Sequence, residues 1–228
     1  MEEKEQYSTS FLTTEDSSHT LYSERFKATY HSTRGAISES KHVFIQNGLE
    51  FYHKQNQSDD ISILEIGFGT GLNAFMTYLY AKEKALKINY HGIEAYPVSF
   101  FEAVKLNYTN EFSEFEKAAF KQMHQQDWNR AGQVTNLYNL TKHLCLIEDF
   151  NSRKKFDVIY FDAFSPSEQP ELWSEEILKK MYDSLNKNGV LVTYCAQGQM
   201  KRNMKQVGFK VQSLPGALGK REMTRGLK

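Results

Sequence analysis

The stretch that decides the fold is Ile61-Ser-Ile-Leu-Glu-Ile-Gly-Phe-Gly-Thr-Gly-Leu-Asn73, continued by Ala74-Phe-Met-Thr-Tyr-Leu-Tyr80. Residues 61–66 form a short, nearly unbroken apolar run, the pattern of a strand buried on both faces. Gly67, Gly69 and Gly71 end it, and the residues that follow have helical character. The order is strand, turn, helix. It recurs downstream: Ile88-Asn-Tyr-His-Gly-Ile-Glu-Ala95 reads as a second strand, and Pro97 is placed to open a helix carrying Phe100, Phe101, Val104 and Leu106. A helix is expected over 111–124 and a strand over 144–147, with a candidate hairpin strand around 134–140. Phe156-Asp-Val-Ile-Tyr-Phe161 is a strongly apolar strand, followed by a loop, a helix over 170–185 with Leu172, Trp173, Ile177, Leu178 and Met181 on one face, and a strand over 189–195. A helix over 199–207 and a strand over 208–214 close the pattern. Upstream, residues 39–54 fit an amphipathic helix. Strands alternating with helices predict an α/β fold, a mostly parallel sheet with helices on both faces.

The chain has 228 residues, 40% of them apolar, enough for one domain with a sizeable core. Residues 26–228 are expected to form it. Residues 1–25, rich in Glu, Ser and Thr without an apolar period, are expected to be a mobile arm or a strap with no regular structure. The 28 basic and 28 acidic residues cancel, which argues against a protein that coats nucleic acid or an anionic membrane through global charge. No apolar run approaches the ~20 residues of a membrane span, and the start Met-Glu-Glu-Lys-Glu lacks the order of a signal peptide, so a soluble cytoplasmic protein without membrane contact is expected. Cys145 and Cys195 lie apart in apolar stretches, and the seven histidines show no ligand spacing. Disulfide frameworks and metal sites are poor readings.

In such sheets ligands bind at the carboxyl ends of the strands, so the loops after Ile66, Ile93 and Phe161 should share one crevice. Gly67, Gly69 and Gly71 leave the first turn without side chains and let its backbone approach a nucleotide-like ligand. Their spacing differs from the GxGxxG dinucleotide fingerprint. Glu94 ends the second strand, where a carboxylate can accept both hydroxyls of a ribose, or else be a surface charge. Asp149 follows the next strand, placed to accept from an adenine amine or to form a turn. Together they describe an adenosine site without a pyrophosphate clamp.

These features resemble class I S-adenosylmethionine-dependent methyltransferases. More closely, Glu65-Ile-Gly-Phe-Gly-Thr-Gly-Leu-Asn73, Phe161-Asp-Ala-Phe-Ser-Pro166 with Glu171-Leu-Trp173, Val192-Thr-Tyr-Cys-Ala196 and Gly219-Lys-Arg-Glu-Met223 resemble the methyltransferase half of the MnmC family, which finishes 5-methylaminomethyl-2-thiouridine in transfer RNA. Tyr30-His-Ser32 and Glu39-Ser-Lys-His-Val-Phe44 extend the likeness upstream. The resemblance implies a Rossmann-like fold with seven strands, the last antiparallel, and S-adenosyl-L-methionine held by Glu65, Gly67, Phe68, Gly69, Thr70, Gly71, Asn73, Glu94 and Asp149. Its bifunctional members carry a flavin-dependent oxidoreductase half, for which 228 residues leave no room, so a stand-alone methyltransferase, with a separate oxidoreductase acting upstream, is the expectation.

The implied acceptor is the aminomethyl nitrogen of a wobble uridine in the anticodon loop. An amine with a reference pKa of ~10.4 is mostly protonated at neutral pH and must lose a proton before it can attack a methyl group. Asp162 is the expected catalytic residue, orienting that amine or taking its proton. Tyr30, Phe164 and Pro166 are candidate walls for the base, although Phe164 could equally be ordinary packing. A base must leave its stack to enter such a site. Phosphate contacts would come from the basic C-terminal segment, where Lys201, Arg202, Lys205, Lys210, Lys220, Arg221, Arg225 and Lys228 face only Glu222; Lys220 and Arg221 are the expected substrate contacts. Alternatives are an N-methyltransferase of a small amine, an aminopropyl transferase with a similar pocket, and a non-catalytic adenosine- or RNA-binding module.

Overall fold

In the computed structural model, which describes residues 8–228, three short strands come first: β1 (Thr9–Thr13), β2 (His19–Ser23) and β3 (Ala28–Thr29), an antiparallel sheet in that order. The N-terminal segment therefore has regular structure where none was expected. Its strands are rich in Thr, Phe, Leu and Tyr, which favour extended backbone, but β1 is mostly exposed, so no burial period shows in the sequence. The expectation for residues 1–7 lies outside the described residues. Asp16 ties this sheet to the body by accepting from the Ser38 backbone NH (3.1 Å) and hydroxyl (2.8 Å).

Next comes α1 (Ala36–Ser40), a π-helical run Lys41–Glu50 and α2 (Phe51–Asn56), somewhat longer than expected. The decisive stretch is β4 (Asp60–Ile66) and α3 (Leu72–Lys84), followed by β5 (Lys87–Glu94) and α4 (Phe100–Ala103). Ser99 and Glu102 form a capping box at the start of α4; Ser113 and Glu116 do the same for α5 (Glu114–Gln125). Then come β6 (Ala131–Thr135), β7 (Tyr138–Leu144), β8 (Phe156–Phe161), α6 (Glu175–Ser184), β9 (Leu185–Thr193), α7 (Gly198–Gln206), β10 (Lys210–Pro215) and β11 (Glu222–Leu227).

The central sheet runs β10-β11-β9-β8-β4-β5-β7-β6. Pairs β4–β5, β4–β8, β5–β7 and β8–β9 are parallel, while β11 is antiparallel to both its neighbours. The sheet has eight strands rather than the expected seven, because β6 folds back antiparallel onto the edge strand β7. The strand expected over 144–147 lies earlier, at β7. Its buried face is Tyr138, Leu140 and Lys142, and the lysine broke the apolar alternation that would have revealed it.

Alternation along the strands divides the core in two. Ile61 and Ile63 of β4, with Val158 and Tyr160 of β8, pack on the face covered by α3 and the first helical run. Leu64 and Ile66, with Ile159 and Phe161, pack on the other, against Ile177 and Met181 of α6 and Met204 of α7. Glu65 keeps step with Ile61 and Ile63, so the pleat drives its carboxyl into the α3 face.

Candidate active site

The tips of β4, β5, β7, β8 and β9 open into one crevice of about 450 Å³, roofed by the segment Arg25–Ser32 that leads from the small sheet to α1. Gly67 and Gly69, Glu94, Asp162 and Phe164, Tyr30 and Lys220 all line it. Seven of the residues singled out in the sequence, scattered from position 30 to 220, thus meet at one place.

The glycines are needed there. Gly67 has φ +86°, and a Cβ on it would stand 2.6 Å from the Asp162 carbonyl oxygen; Gly69 has φ +49°, and its Cβ would meet the Tyr30 ring at 3.1 Å. Backbone alone fits between the β4 tip, the β8 loop and the roof. Glu94 anchors this turn, accepting from the Gly69 NH at 2.9 Å through Oε2 and from the Tyr96 NH at 2.8 Å through Oε1. Burial pushes its carboxyl pKa up, against the pull of these amides. A carboxylate has about four lone-pair sites, so capacity to accept from a ligand hydroxyl is left.

Beneath the crevice, Asn73 of α3 bridges two acids. Its Nδ2 donates to Glu65 Oε1 (2.9 Å) and Asp162 Oδ2 (2.7 Å), while its Oδ1 accepts from the Ser40 hydroxyl (2.6 Å). Glu65 is completely buried and its Oε2 has no hydrogen-bond partner. Burial first, then the charge of Asp162, push the Glu65 pKa well above its ordinary value, which favours the protonated form. Asp162 borders the crevice, and its pKa is pushed up to about 7, chiefly by burial and then by Glu39, with Asn73 and Lys220 opposing. A carboxyl with that value is a far better proton acceptor at pH 7 than an ordinary aspartate.

Several expected residues support the crevice without lining it. Asn73 acts from below. Phe68 is buried with its ring edge-on to His124 and Trp128, and the Thr70 hydroxyl accepts from Tyr108 at 3.3 Å. A Cβ at Gly71 would lie 2.6 Å from His124 Nε2. Pro166, Asp149 and Arg221 do not line the crevice; Asp149 and Arg221 are exposed, and Glu148 lines the wall near the position expected of Asp149. The basic segment is mostly engaged elsewhere. Lys201 pairs with Glu222, the Arg225 guanidinium lies over the Phe51 ring at 3.5 Å, and Lys228 donates to the Tyr182 and Leu185 carbonyls.

Other lining residues lie within or near the motifs quoted for the resemblance but were given no role in the site. Glu39 is buried, accepts from the Ser32 NH at 3.0 Å and pairs with Lys220. The Tyr194 hydroxyl donates to the Ala163 carbonyl at 2.8 Å, and its ring lies 5.3 Å from the Lys220 ammonium. Phe26 stacks on Phe164 with centroids 4.4 Å apart, and Tyr30 meets Phe164 edge-on at 5.2 Å. His31, its pKa pressed down by burial to about 4, is neutral at pH 7. The signals for Glu39 were its place at the start of the quoted Glu39–Phe44 motif and in the first turn of α1. No group of three or more acidic, histidine or cysteine side chains among the described residues could hold a metal ion, and no helix among them is long and apolar enough to cross a membrane.

The chain is similar to known proteins in sequence and in fold. A family model described as S-adenosyl-L-methionine-dependent methyltransferase matches residues 110–228. The proteins named tRNA 5-methylaminomethyl-2-thiouridine biosynthesis bifunctional protein MnmC from Methylobacillus flagellatus and Leptospira interrogans are 29% and 31% identical, over 90% and 91% of this chain. The chain spans about a third of their length, 33% of each. The crystal structure of MNMC2 from Aquifex aeolicus superposes with a TM-score of 0.77 at 24% identity, over 98% of this chain and 71% of that one, a likeness of fold.

Proposed function

Because the chain belongs to the family of S-adenosyl-L-methionine-dependent methyltransferases, we propose that it transfers a methyl group from that cofactor to the aminomethyl nitrogen of 5-aminomethyl-2-thiouridine at the wobble position of transfer RNA, giving 5-methylaminomethyl-2-thiouridine. The observation that carries the reading is Asp162: a carboxyl at the crevice floor with a pKa of about 7, facing a space that also holds Glu39, suits a cationic amine that has to be deprotonated. The MnmC relatives, whose printed name specifies this nucleoside, support the choice of acceptor.

The residues present fit the cofactor. Gly67 and Gly69 form a cradle that any Cβ would fill, and Glu94 keeps lone pairs for the ribose hydroxyls. Cys145, Leu146 and Glu148 line the wall beyond Glu94, on the adenine side of the reading. When bound, the cofactor supplies an electrophilic methyl group on a sulfonium. The chain's own part is alignment and proton handling. Asn73 holds Asp162 through Oδ2, and among the described residues no donor engages Oδ1. That oxygen accepts a hydrogen bond from the substrate ammonium and then its proton: the N–H bond breaks, an O–H bond forms on Asp162, and the pair left on nitrogen becomes the nucleophile. Phe26, Tyr30 and Phe164 supply apolar walls for the displaced base. Cytoplasmic transfer RNA is the partner, and a separate flavin-dependent oxidoreductase would act upstream.

The test is methyl incorporation from labelled cofactor into transfer RNA bearing 5-aminomethyl-2-thiouridine, with nucleoside mass spectrometry of the product and the free nucleoside as control. Formation of the methylated nucleoside in intact transfer RNA is expected. Equal activity on a free small amine would replace this reading with that of a small-amine N-methyltransferase.

A further inference from the structure

Glu39 and Lys220 stand 181 positions apart in sequence, yet their side chains form an ion pair at the crevice wall. Both are constrained. Glu39 is 6% exposed, and its second oxygen is fixed by the Ser32 NH, so its charge has nowhere else to go. Lys220 follows Gly219, which has φ +75°, and packs its ammonium over the Tyr194 ring, while Tyr194 is itself bonded to the backbone of Ala163 beside Asp162. The next residue after Glu39 closes the arrangement: the Ser40 hydroxyl bonds Asn73, and Asn73 bonds Asp162. The C-terminal end of α1 is thus connected to Asp162 both by a chain of hydrogen bonds and by charge across the crevice.

An exposed ion pair would merit little attention. Here the acid is buried, the lysine is half-buried, and both share a crevice with the group proposed to move a proton, where charge acts at longer range than in open water. We propose that the Glu39–Lys220 pair is a positioning device for Asp162, the acid promoting and the lysine restraining the uptake of the substrate proton by the Asp162 carboxylate. The inference rests on the role given to Asp162 above and adds the two groups that set its readiness. Charged and titratable groups face Asp162 from every side: Glu65 from β4, Glu39 from α1, Lys220 from the β10–β11 connection, Tyr194 after β9 and Tyr108 below the turn. Burial pushes Glu65 and both tyrosines toward their neutral forms, which leaves the ion pair as the charged neighbours that act on Asp162 in opposite directions.

A structural ion pair and an electrostatic control make opposite predictions, because the former loses the same contact whichever partner is removed. Glu39→Gln removes the acid and keeps the opposing Lys220, and should lower the Asp162 titration midpoint by about one pH unit; Lys220→Met keeps Glu39 and should raise it by about as much. The midpoint is read in two ways: by carbon-13 NMR of aspartate-labelled protein, with the Asp162 signal assigned by its loss in Asp162→Asn, and from the acidic limb of kcat/KM against pH with transfer RNA. Lys220→Arg, which keeps the charge, should return the midpoint to within a few tenths of a unit of the parent value. Shifts of the same sign in the two variants, or none in either, would overturn the proposal. If Glu39→Gln does not fold, Lys220→Met alone decides, since an unchanged or lowered midpoint contradicts the mechanism. The NMR titration needs no turnover, so failure to methylate transfer RNA would count against the proposed substrate without touching this result.

Discussion

Replacing Asp162 by asparagine should make the protein more stable, and more so as the pH rises. The carboxyl has a pKa of 3.8 when unfolded and about 7 when folded, so between those values the native state holds a proton that the unfolded state has released. The native state therefore loses stability as pH climbs from about 4 and levels off above about 7, where both states are ionised. At 1.36 kcal/mol per pH decade the full cost approaches ~4 kcal/mol, and water in the crevice should reduce it to roughly 2–3 kcal/mol. The amide that replaces the carboxyl keeps its shape and still offers an oxygen to Asn73, so the variant sheds the buried charge without losing the bridge. For a domain of this size the gain corresponds to roughly 5–10 °C in Tm at pH 8, shrinking to little at pH 4. Differential scanning calorimetry of parent and variant at pH 4, 6 and 8, without cofactor, measures it. A variant equally stable or less stable at pH 8, or a difference independent of pH, would refute both the raised value and its attribution to burial.

Glu94→Ala should weaken cofactor affinity about 10- to 100-fold by isothermal titration calorimetry, since it removes the ribose acceptor and frees the Gly69 amide; an unchanged Kd would end the ribose role. Gly67→Ala, forcing a Cβ to 2.6 Å from the Asp162 carbonyl at positive φ, should destabilise by about 3 kcal/mol in urea unfolding, and a loss below about 1 kcal/mol would show the turn to be pliable. Burial favours the neutral form of Glu65, which an amide copies, so Glu65→Gln should leave stability within about 1 kcal/mol, whereas Glu65→Ala should lose about 2–3 kcal/mol by removing an acceptor from Asn73; similar losses in both would refute this. Lys142→Met should stabilise by about 1–2 kcal/mol at pH 7. Burial lowers the Lys142 pKa to about 8 from 10.5, a cost carried in full below pH 8 and gone above 10.5, partly offset by the bond to the His124 carbonyl; a gain that persists at pH 11 would point to packing instead.

The parallel core was legible because β4, β5 and β8 are apolar on both faces, and the glycine turn marked where the ligand must lie. Glu94 and Asp162 were legible for a related reason: each ends a strand, and strand ends converge in this architecture. What escaped the sequence was of two kinds. β1, β2 and β7 are extended segments whose burial is one-sided or interrupted by Lys142, so hydrophobic periodicity carried no signal. Glu39 and Tyr194 owe their place to contacts across the fold, and a pairing between positions 39 and 220 has no local trace. The basic run illustrates the converse. Proximity in sequence suggested a single surface, whereas Lys201 pairs with Glu222, Arg225 lies over Phe51 and Lys228 donates to the carbonyls of Tyr182 and Leu185.

The position of β11 bears on how the molecule is made. Formed by residues 222–227, it lies between β10 and β9, inside the sheet instead of at its margin. A growing polypeptide emerging from the ribosome can pair β4, β5, β7, β8 and β9 early, but must hold a slot open beside β9 until those last residues arrive. Lys220 enters the crevice only with them. A nascent chain stalled before residue 220 would therefore possess the glycine turn and Asp162 yet lack the lysine that restrains it, and would expose the raw flank of β9 to any other strand nearby.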